Sequence, residues 1–421
     1  MIKSTKFDSG LMLVTDSRPD TRSASVSFWV GAGSGFETPE NNGISHFTEH
    51  VMFKGTAKYS PFEIAKLFED YGARFNAFTS KEATCYYFKC IDENLEKCFA
   101  LMAHILYESS FDADELDKER KVITEEINMV EDEPDDICYD KLAECAYKGT
   151  ALARTILGPT ENVLRFTRDD VLDYTGRMYV PGNTVISVAG NVGHERMEEL
   201  TEKYVAPVIG APGQAAQYSP AACGGGFAKY EKDFEQVNLS VAYPTLPFDH
   251  ELSAVQNVVS FCFGTGMSSR LFQVLREQKG LVYNVYTACS AYKNNGLFGI
   301  YVNTSGKNLA AAADAVRDET EKLREGGLTE EELTRAKIQL KSSMLFSLED
   351  MLSTMNAYGK YALYTRGLYD TDARLKMIES VTREQTAEFC RKYFVPGRVS
   401  VAYVGKSDCL AGTDLYGKFS E

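Results

Sequence analysis

The chain is written twice. The stretch "FTRDDVLDYTGRMYVPGNTVISVAG" from Phe166 returns as "VTREQTAEFCRKYFVPGRVSVAYVG" from Val381. At a constant offset of 215 residues, Thr167, Arg168, Val180, Pro181, Gly182 and Gly190 fall on Thr382, Arg383, Val395, Pro396, Gly397 and Gly405. A second echo sets "FDADELDKERKVITEEI" from Phe111 against "LTEEELTRAKIQLKSSM" from Leu328. Two copies of this length exceed a solenoid repeat and mean two domains of one fold. The 421 residues are enough for two domains of about 200 residues each. Between the copies, "APVIGAPGQAAQYSPAACGGGFA" is rich in Pro, Gly and Ala, lacks charge, and reads as a linker. The expected division is 1–206, a linker at 207–228, and 229–421.

Each copy mixes two periodicities. "SASVSFWV" (Ser23 to Val30) and "ATCYYFKCI" (Ala83 to Ile91) alternate as strands do. "MIKSTKFDSGLMLVTD" reads as two short strands about Ser9-Gly10. "ENLEKCFALMAHILYES" reads as a helix, and so does "VTREQTAEFCRKYF", with Thr382 as its N-cap and Val-Pro-Gly as its stop. Strands in pairs and helices in runs predict an α+β fold, a mostly antiparallel sheet covered by helices in each domain.

Composition narrows the function. A net charge of −15 with no basic stripe argues against nucleic acid; lining a cavity, that charge favours basic peptides. No apolar run reaches the roughly 18 residues of a membrane helix, and the start carries no signal-like segment, so a cytoplasmic protein is expected. The ten cysteines are dispersed, without the CxxC spacing of zinc or redox sites, and read as reduced, mostly buried thiols.

Only five histidines occur, yet His46 and His50 stand four apart in "GISHFTEHVMFKGT" with Glu49 between them. The segment has helical character, with Asn41, Asn42 or Ser45 near its start and Gly55 after its end. At about 100° per residue both imidazoles share one face, where they can reach one ion. Glu49 lies about 60° to the far side of His46, the mirror of the HExxH order. HxxEH is the inverted zinc-peptidase pattern. Neutral imidazoles bind Zn2+ without cancelling its charge, so the ion can lower the pKa of a bound water towards ~7. Glu49 would take the proton of that water and deliver it to the leaving amine.

A third ligand is required, and a carboxylate usually completes such a set. In "DELDKERKVITEEINMVEDEPDD", Val122, Ile123, Met129 and Val130 predict the apolar face of a helix. Glu119 and Glu126, two turns apart, share a side close to that face. A carboxylate there is costly unless a cation compensates it, as a metal would compensate Glu126 while Glu119 orients a ligand. Glu125 is the alternative; with Glu131 and Glu133 it fits a solvated acidic face.

"GSGFETPENNGISHFTEHVMFKGT", followed 76 residues after His50 by Glu126, resembles the pitrilysin/insulinase family of inverted-motif zinc peptidases. Length and duplication resemble its short two-domain branch, which includes bacterial and mitochondrial processing peptidases. The resemblance spans essentially the whole chain. It implies His46, His50 and Glu126 as zinc ligands, Glu49 as general base and Glu119 as a supporting carboxylate. In "LREQKGLVYNVY", Arg276 and Tyr283 match the family's arginine–tyrosine pair, which holds substrate and stabilises charge on the attacked carbonyl. A guanidinium and a phenol are suitable donors for that charge. "GARFNAFTSKEATCYYF" resembles the family's substrate-binding edge strand, which Asn76, Ala77 and Thr79 would line.

Aligning "GISHFTEHVM" with "GMSSRLFQVL" sets His46, Glu49 and His50 against Ser269, Phe272 and Gln273. Glu119 and Glu126 meet Ala336 and Ser343. The second domain therefore keeps the fold and loses the metal residues, predicting one zinc per chain. By resemblance such halves enclose a chamber, and short chains do so as dimers in which the arginine–tyrosine pair serves the partner's zinc. The expectation is a homodimer, a heterodimer with a related chain being the variant, and a zinc endopeptidase that cuts unfolded or presequence-like peptides. The alternative is a non-catalytic scaffold or partner subunit. Against it, the metal set and the arginine–tyrosine pair are complete.

Overall fold

A computed structural model describes residues 2–211, 213 and 223–421. Part of the Pro/Gly/Ala-rich linker expected at 207–228 lies outside the described residues. The first half of the chain forms strands β1 (Ile2–Lys6), β2 (Met12–Ser17), β3 (Ser23–Val30), β4 (Arg74–Thr79), β5 (Thr84–Ile91) and β6 (Thr184–Gly190). Its helices are α1 (Ile44–Met52), α2 (Pro61–Asp70), α3 (Leu95–Glu108), α4 (Ala113–Glu131), α5 (Pro134–Ala146), α6 (Thr160–Arg165), α7 (Arg168–Met178) and α8 (His194–Tyr204). The second half forms β7 (Gly226–Glu231), β8 (Gln236–Thr245), β9 (Val282–Ala291), β10 (Gly296–Ser305) and β11 (Ser400–Gly405). Its helices are α9 (Ser253–Gly264), α10 (Leu309–Gly326), α11 (Glu330–Glu349), α12 (Met351–Thr365), α13 (Thr371–Ser380), α14 (Arg383–Tyr393) and α15 (Gly417–Ser420).

Each half contributes one sheet. The first has the order β1-β2-β6-β3-β5-β4 and the second β7-β11-β8-β10-β9. Leaving out β1, the two orders correspond strand for strand. Among the described residues only β2 with β6 and β7 with β11 run parallel, and the other strand pairs are antiparallel. The α+β reading holds. The duplication also holds at the level of caps. Thr167 and Asp170 close a capping box on α7, and Thr382 and Gln385 close one on α14. In each, a side-chain acceptor satisfies a first-turn amide that the helix leaves orphaned.

The compact units depart from the linear halves. One consists of the described residues of 1–127, 155–219 and 346–369, the other of those of 128–154, 220–345 and 370–421. A division at residues 206 and 229 therefore misses an exchange of helices: α12 belongs to the first unit and α5 to the second. In the first unit, Tyr358, Ala362 and Leu363 of α12 cluster with Met12, Val14, Trp29, Cys85 and Val185 of the sheet. Burial of each large apolar side chain there contributes about 1.5–3 kcal/mol. The approach is close at Gly359, where a β-carbon would overlap the Trp29 indole. With its other face on the main core, β3 is buried from Ala24 to Val30, so even Ser25 and Ser27 of its alternating sequence lie inside. In the second unit, Cys138 of α5 meets Ser240 Oγ at 3.1 Å and Cys145 meets the Val401 carbonyl at 3.7 Å. All ten cysteines are free. Among the described residues no helix is long and apolar enough to cross a membrane.

Candidate metal centre

The site is built on α1. Its start needs glycine, because Gly43 sits at φ +101° against the Leu157 carbonyl, where a side chain would be strained and crowded. Gly43 offers no side-chain cap. The buried Glu37 carboxylate takes that role, accepting from the Gly43 amide at 2.8 Å and the Ser45 amide at 2.8 Å. It also accepts from the Asn42 side chain at 2.8 Å, so one anion satisfies several donors at the positive end of the helix.

With α1 fixed, His46 and His50 project from one face, their ring centroids 4.6 Å apart. Glu126 of α4 meets them: its Oε2 lies 3.7 Å from His46 Nε2 and 3.4 Å from His50 Nε2. One ligand atom from each of the three lies within 4.8 Å of the others. Ligands about 2.0–2.1 Å from a tetrahedral zinc stand about 3.3 Å apart, so both imidazole–carboxylate distances are near a ligating arrangement. Two imidazoles and a carboxylate are also the donor set of hydrolytic zinc. Glu125, the alternative on the same helix, is not part of the cluster.

Around this cluster the remaining predicted groups divide. Glu119 is buried, and its Oε2 accepts from His50 Nδ1 at 3.2 Å, which leaves Nε2 facing Glu126. Lys54 braces the other Glu119 oxygen at 2.7 Å. Glu49 points to β4, where the Thr79 hydroxyl donates to its Oε2. Thr79, expected to line the peptide strand, thus spends its side chain on Glu49. Asn76 and Ala77 lie on β4 as expected. Among the described residues that strand pairs only with β5 and is an open edge, and the Ala77 amide donates to Asn76 Oδ1 at 2.8 Å. Sequence reasoning missed Glu37 and Lys54; the only signal for Lys54 was its position one turn beyond His50.

The apolar face expected on α4 holds at Ile123 but not at Val122 and Met129. Leu116, Glu119 and Ile123 turn inward, whereas Val122 and Met129 are 51% and 69% exposed. Glu126 nonetheless reaches the histidines, because it lies two turns beyond the buried Glu119.

Electrostatics separate the groups. Desolvation, aided by nearby His50 and opposed by Glu126, lowers the His46 pKa to about 4, leaving a neutral ligand. Burial opposes charge on His50 as well, but hydrogen bonds to Glu119 and Glu126 outweigh it and raise its pKa to about 9. Burial raises Glu49, with the Thr79 hydrogen bond working against it. For Glu119 burial is overcome by His50 and Lys54, and for Glu126 the His50 hydrogen bond leads; both stay below the usual carboxylate range.

Arg276 and Tyr283 belong to the second unit. Arg276 sits in a π-helical turn, Phe272–Gln278, its guanidinium 4.9 Å from the Phe272 ring. No salt bridge engages it among the described residues. Tyr283, near the start of β9, is 60% exposed. Among the described residues β9 is one of the two edge strands of its sheet, the counterpart of β4.

Fold and site together define the scaffold of a two-domain metallopeptidase of the inverted-motif type. The family model "Insulinase (Peptidase family M16)" matches residues 12–160, and the model "Peptidase M16 inactive domain" matches 165–340. A Bacillus subtilis protein named an uncharacterized zinc protease is 37% identical over 394 residues, 94% of this chain and 96% of its own. One of the same description from Streptomyces coelicolor is 34% identical over 397 residues, 93% of this chain and 86% of its own. The chain belongs to the insulinase (M16) peptidase family. Solved structures agree on the fold. A peptidase M16 inactive domain from Pseudomonas fluorescens has a TM-score of 0.90 at 19% identity, covering 97% of this chain and 98% of its own. A protease from Helicobacter pylori has a TM-score of 0.90 at 22% identity, covering 96% and 99%.

Proposed function

We propose that this protein is a zinc-dependent endopeptidase that hydrolyses unfolded peptides, presequence-like segments among them, with one zinc per chain. The observation that carries the reading is the meeting of His46, His50 and Glu126 beside Glu49, which itself touches an open edge strand. When bound, the zinc supplies a Lewis acid that polarises the carbonyl under attack and acidifies water. The protein does the rest. Glu49 takes the proton of the attacking water and returns it to the leaving nitrogen. β4 takes the substrate as an added strand, its main-chain groups replacing such local contacts as that between Asn76 and Ala77. A cleft of about 390 Å³ beside Glu49 and His50, lined by Phe53, Ile64 and Phe75, receives an apolar substrate side chain.

The test is zinc content together with chelator-sensitive cleavage of a mixed peptide library. About one zinc per chain, cleavage that chelator abolishes, and apolar residues enriched beside the cut support the reading. Zinc bound without cleavage of any peptide defeats it and favours a scaffold.

The hydroxyl of Thr79 holds Glu49 towards the strand that takes the peptide. Thr79→Val is expected to lower kcat about tenfold, the scale of a hydrogen bond to a charged group, with Thr79→Ser near wild type. Loss in Thr79→Ser with Thr79→Val near wild type would show that the methyl, not the hydroxyl, matters; peptide turnover reads the difference.

Arg276 and Tyr283 are the donors assigned to the attacked carbonyl, and the assembly proposed is a homodimer in which they act on the partner's site. A guanidinium that no described residue engages in a salt bridge and an exposed phenol suit that task. Mixing Glu49→Gln chains with Arg276→Ala chains then rebuilds one intact site in each mixed dimer. Activity should return to about a quarter of wild type, the statistical yield of random pairing. A mixture no more active than its separate components means that the pair acts within its own chain.

A further inference from the structure

α1 is too short to place itself. It has nine residues, Ile44–Met52, and carries His46, Glu49 and His50. A helix of that length is marginal on its own in water, so its surroundings fix its position. Its apolar side, Ile44, Phe47, Val51 and Met52, is buried, but apolar contact has no direction and does not by itself set height or rotation. Hydrogen bonds at its start do.

Those bonds converge on Glu37, which is 4% exposed and stands ahead of the helix in the chain. Its Oε2 accepts from the Gly43 amide and the Asn42 side chain. Its Oε1 accepts from the Ser45 amide at 2.8 Å and the Ser45 hydroxyl at 2.5 Å. The single hydroxyl proton of Ser45 goes to the carboxylate, so the Tyr174 phenol on α7 is the donor in its 2.7 Å bond to Ser45 Oγ. Asn42 also donates to the Thr155 carbonyl at 3.0 Å. The carboxylate is thus the centre of a buried set that ties the residue before His46 to α7 and the start of the helix to Thr155. The caps of α7 and α14 differ, since Thr167 and Thr382 make theirs in exposed positions. Taking a carboxylate out of water is costly, and a cap alone does not require it.

We propose that Glu37 is a positioning residue for the metal centre: its charge locks the start of α1 so that His46 and His50 meet Glu126, and zinc affinity depends on that lock. Ligand atoms must stand within about 0.2 Å of their places to hold a metal, a tolerance that a loosened short helix exceeds. The inference rests on His46, His50 and Glu126 being the zinc ligands and needs no peptide hydrolysis.

Glu37→Gln tests it, because glutamine keeps the shape and one acceptor oxygen but turns a donor towards donors. Competition against a chromophoric chelator, at a temperature where each protein is folded, should show zinc affinity about tenfold or more below wild type, the loss that follows removal of an outer support. The cobalt-substituted variant should show a visible spectrum unlike that of wild type, because those bands follow coordination geometry. Thr382→Ala, which removes the cap of α14, should lower the melting temperature and leave affinity and spectrum as in wild type. Ser45→Ala, which removes one bond to the carboxylate, should weaken zinc about threefold and serves if Glu37→Gln does not fold. Wild-type affinity and spectrum in folded Glu37→Gln, or in Ser45→Ala where that serves, overturn the proposal and leave Glu37 a support of the fold alone. An equal loss of affinity in Thr382→Ala overturns it too, since affinity would then follow stability and not position. A wild-type chain that takes up neither zinc nor cobalt defeats the ligand set itself, and the inference with it.

Discussion

Glu49→Gln is expected to retain its zinc and lose peptide hydrolysis by about 10²–10⁴-fold, the range that positioned acid–base catalysis contributes. Glutamine keeps the size of the side chain and an oxygen that can accept from Thr79, so α1 and the ligand set should be undisturbed. What it lacks is a site for the transferred proton. Burial raises the Glu49 pKa, bringing the carboxylate closer to the pH at which it must accept and return a proton. Zinc per chain by mass spectrometry and turnover of a quenched peptide separate the two effects. If the variant turns over at the wild-type rate with its zinc in place, Glu49 is not the base. Loss of zinc along with activity would instead make Glu49 a support of the ligand set.

The metal helix was legible because its signal is local. Two histidines four residues apart must share a helical face, and Glu49 between them must lie beside that face. The partner helix is less legible. Of Val122, Ile123, Met129 and Val130, the residues that mark its expected buried side, Ile123 is buried while Val122 and Met129 are exposed, and the inward line runs through Leu116, Glu119 and Ile123. Apolar residues on a charged helix do not fix its rotation when a buried carboxylate occupies the inner face. Glu119 can be there because Lys54 and His50 compensate it, a tertiary arrangement that no period records. The same rotation separates Glu126, which meets the histidines, from Glu125.

The duplication made the two sheets legible but not the exchange of α5 and α12. These helices begin 217 residues apart, as Pro134 and Met351, and are counterparts in the repeat. An amphipathic helix presents the same pattern to either of two related sheets, so periodicity cannot say which one it covers. The Thr79 contact was hidden for a similar reason. Alternation along β4 tells which side of the strand a hydroxyl leaves from, but not that Glu49 waits there.

The second large effect concerns Glu126. Glu126→Gln should leave a folded chain that no longer retains zinc through purification and has no peptidase activity. The carboxylate is the only anionic member of the His46, His50 and Glu126 set, and an amide neither balances the charge of the ion nor matches a carboxylate as a donor. It is only half-buried on α4, so its replacement opens no core cavity and the melting curve of the metal-free protein should change little. Glu119→Gln makes the contrast. It acts through His50 Nδ1, and loss of such a support costs about 10–100-fold in metal affinity rather than the site itself. Competition against a chromophoric chelator therefore ranks wild type, then Glu119→Gln, then Glu126→Gln. If Glu126→Gln kept wild-type affinity while Glu119→Gln lost the metal, the ligand would be Glu119 and α4 would have to turn to bring it to His46.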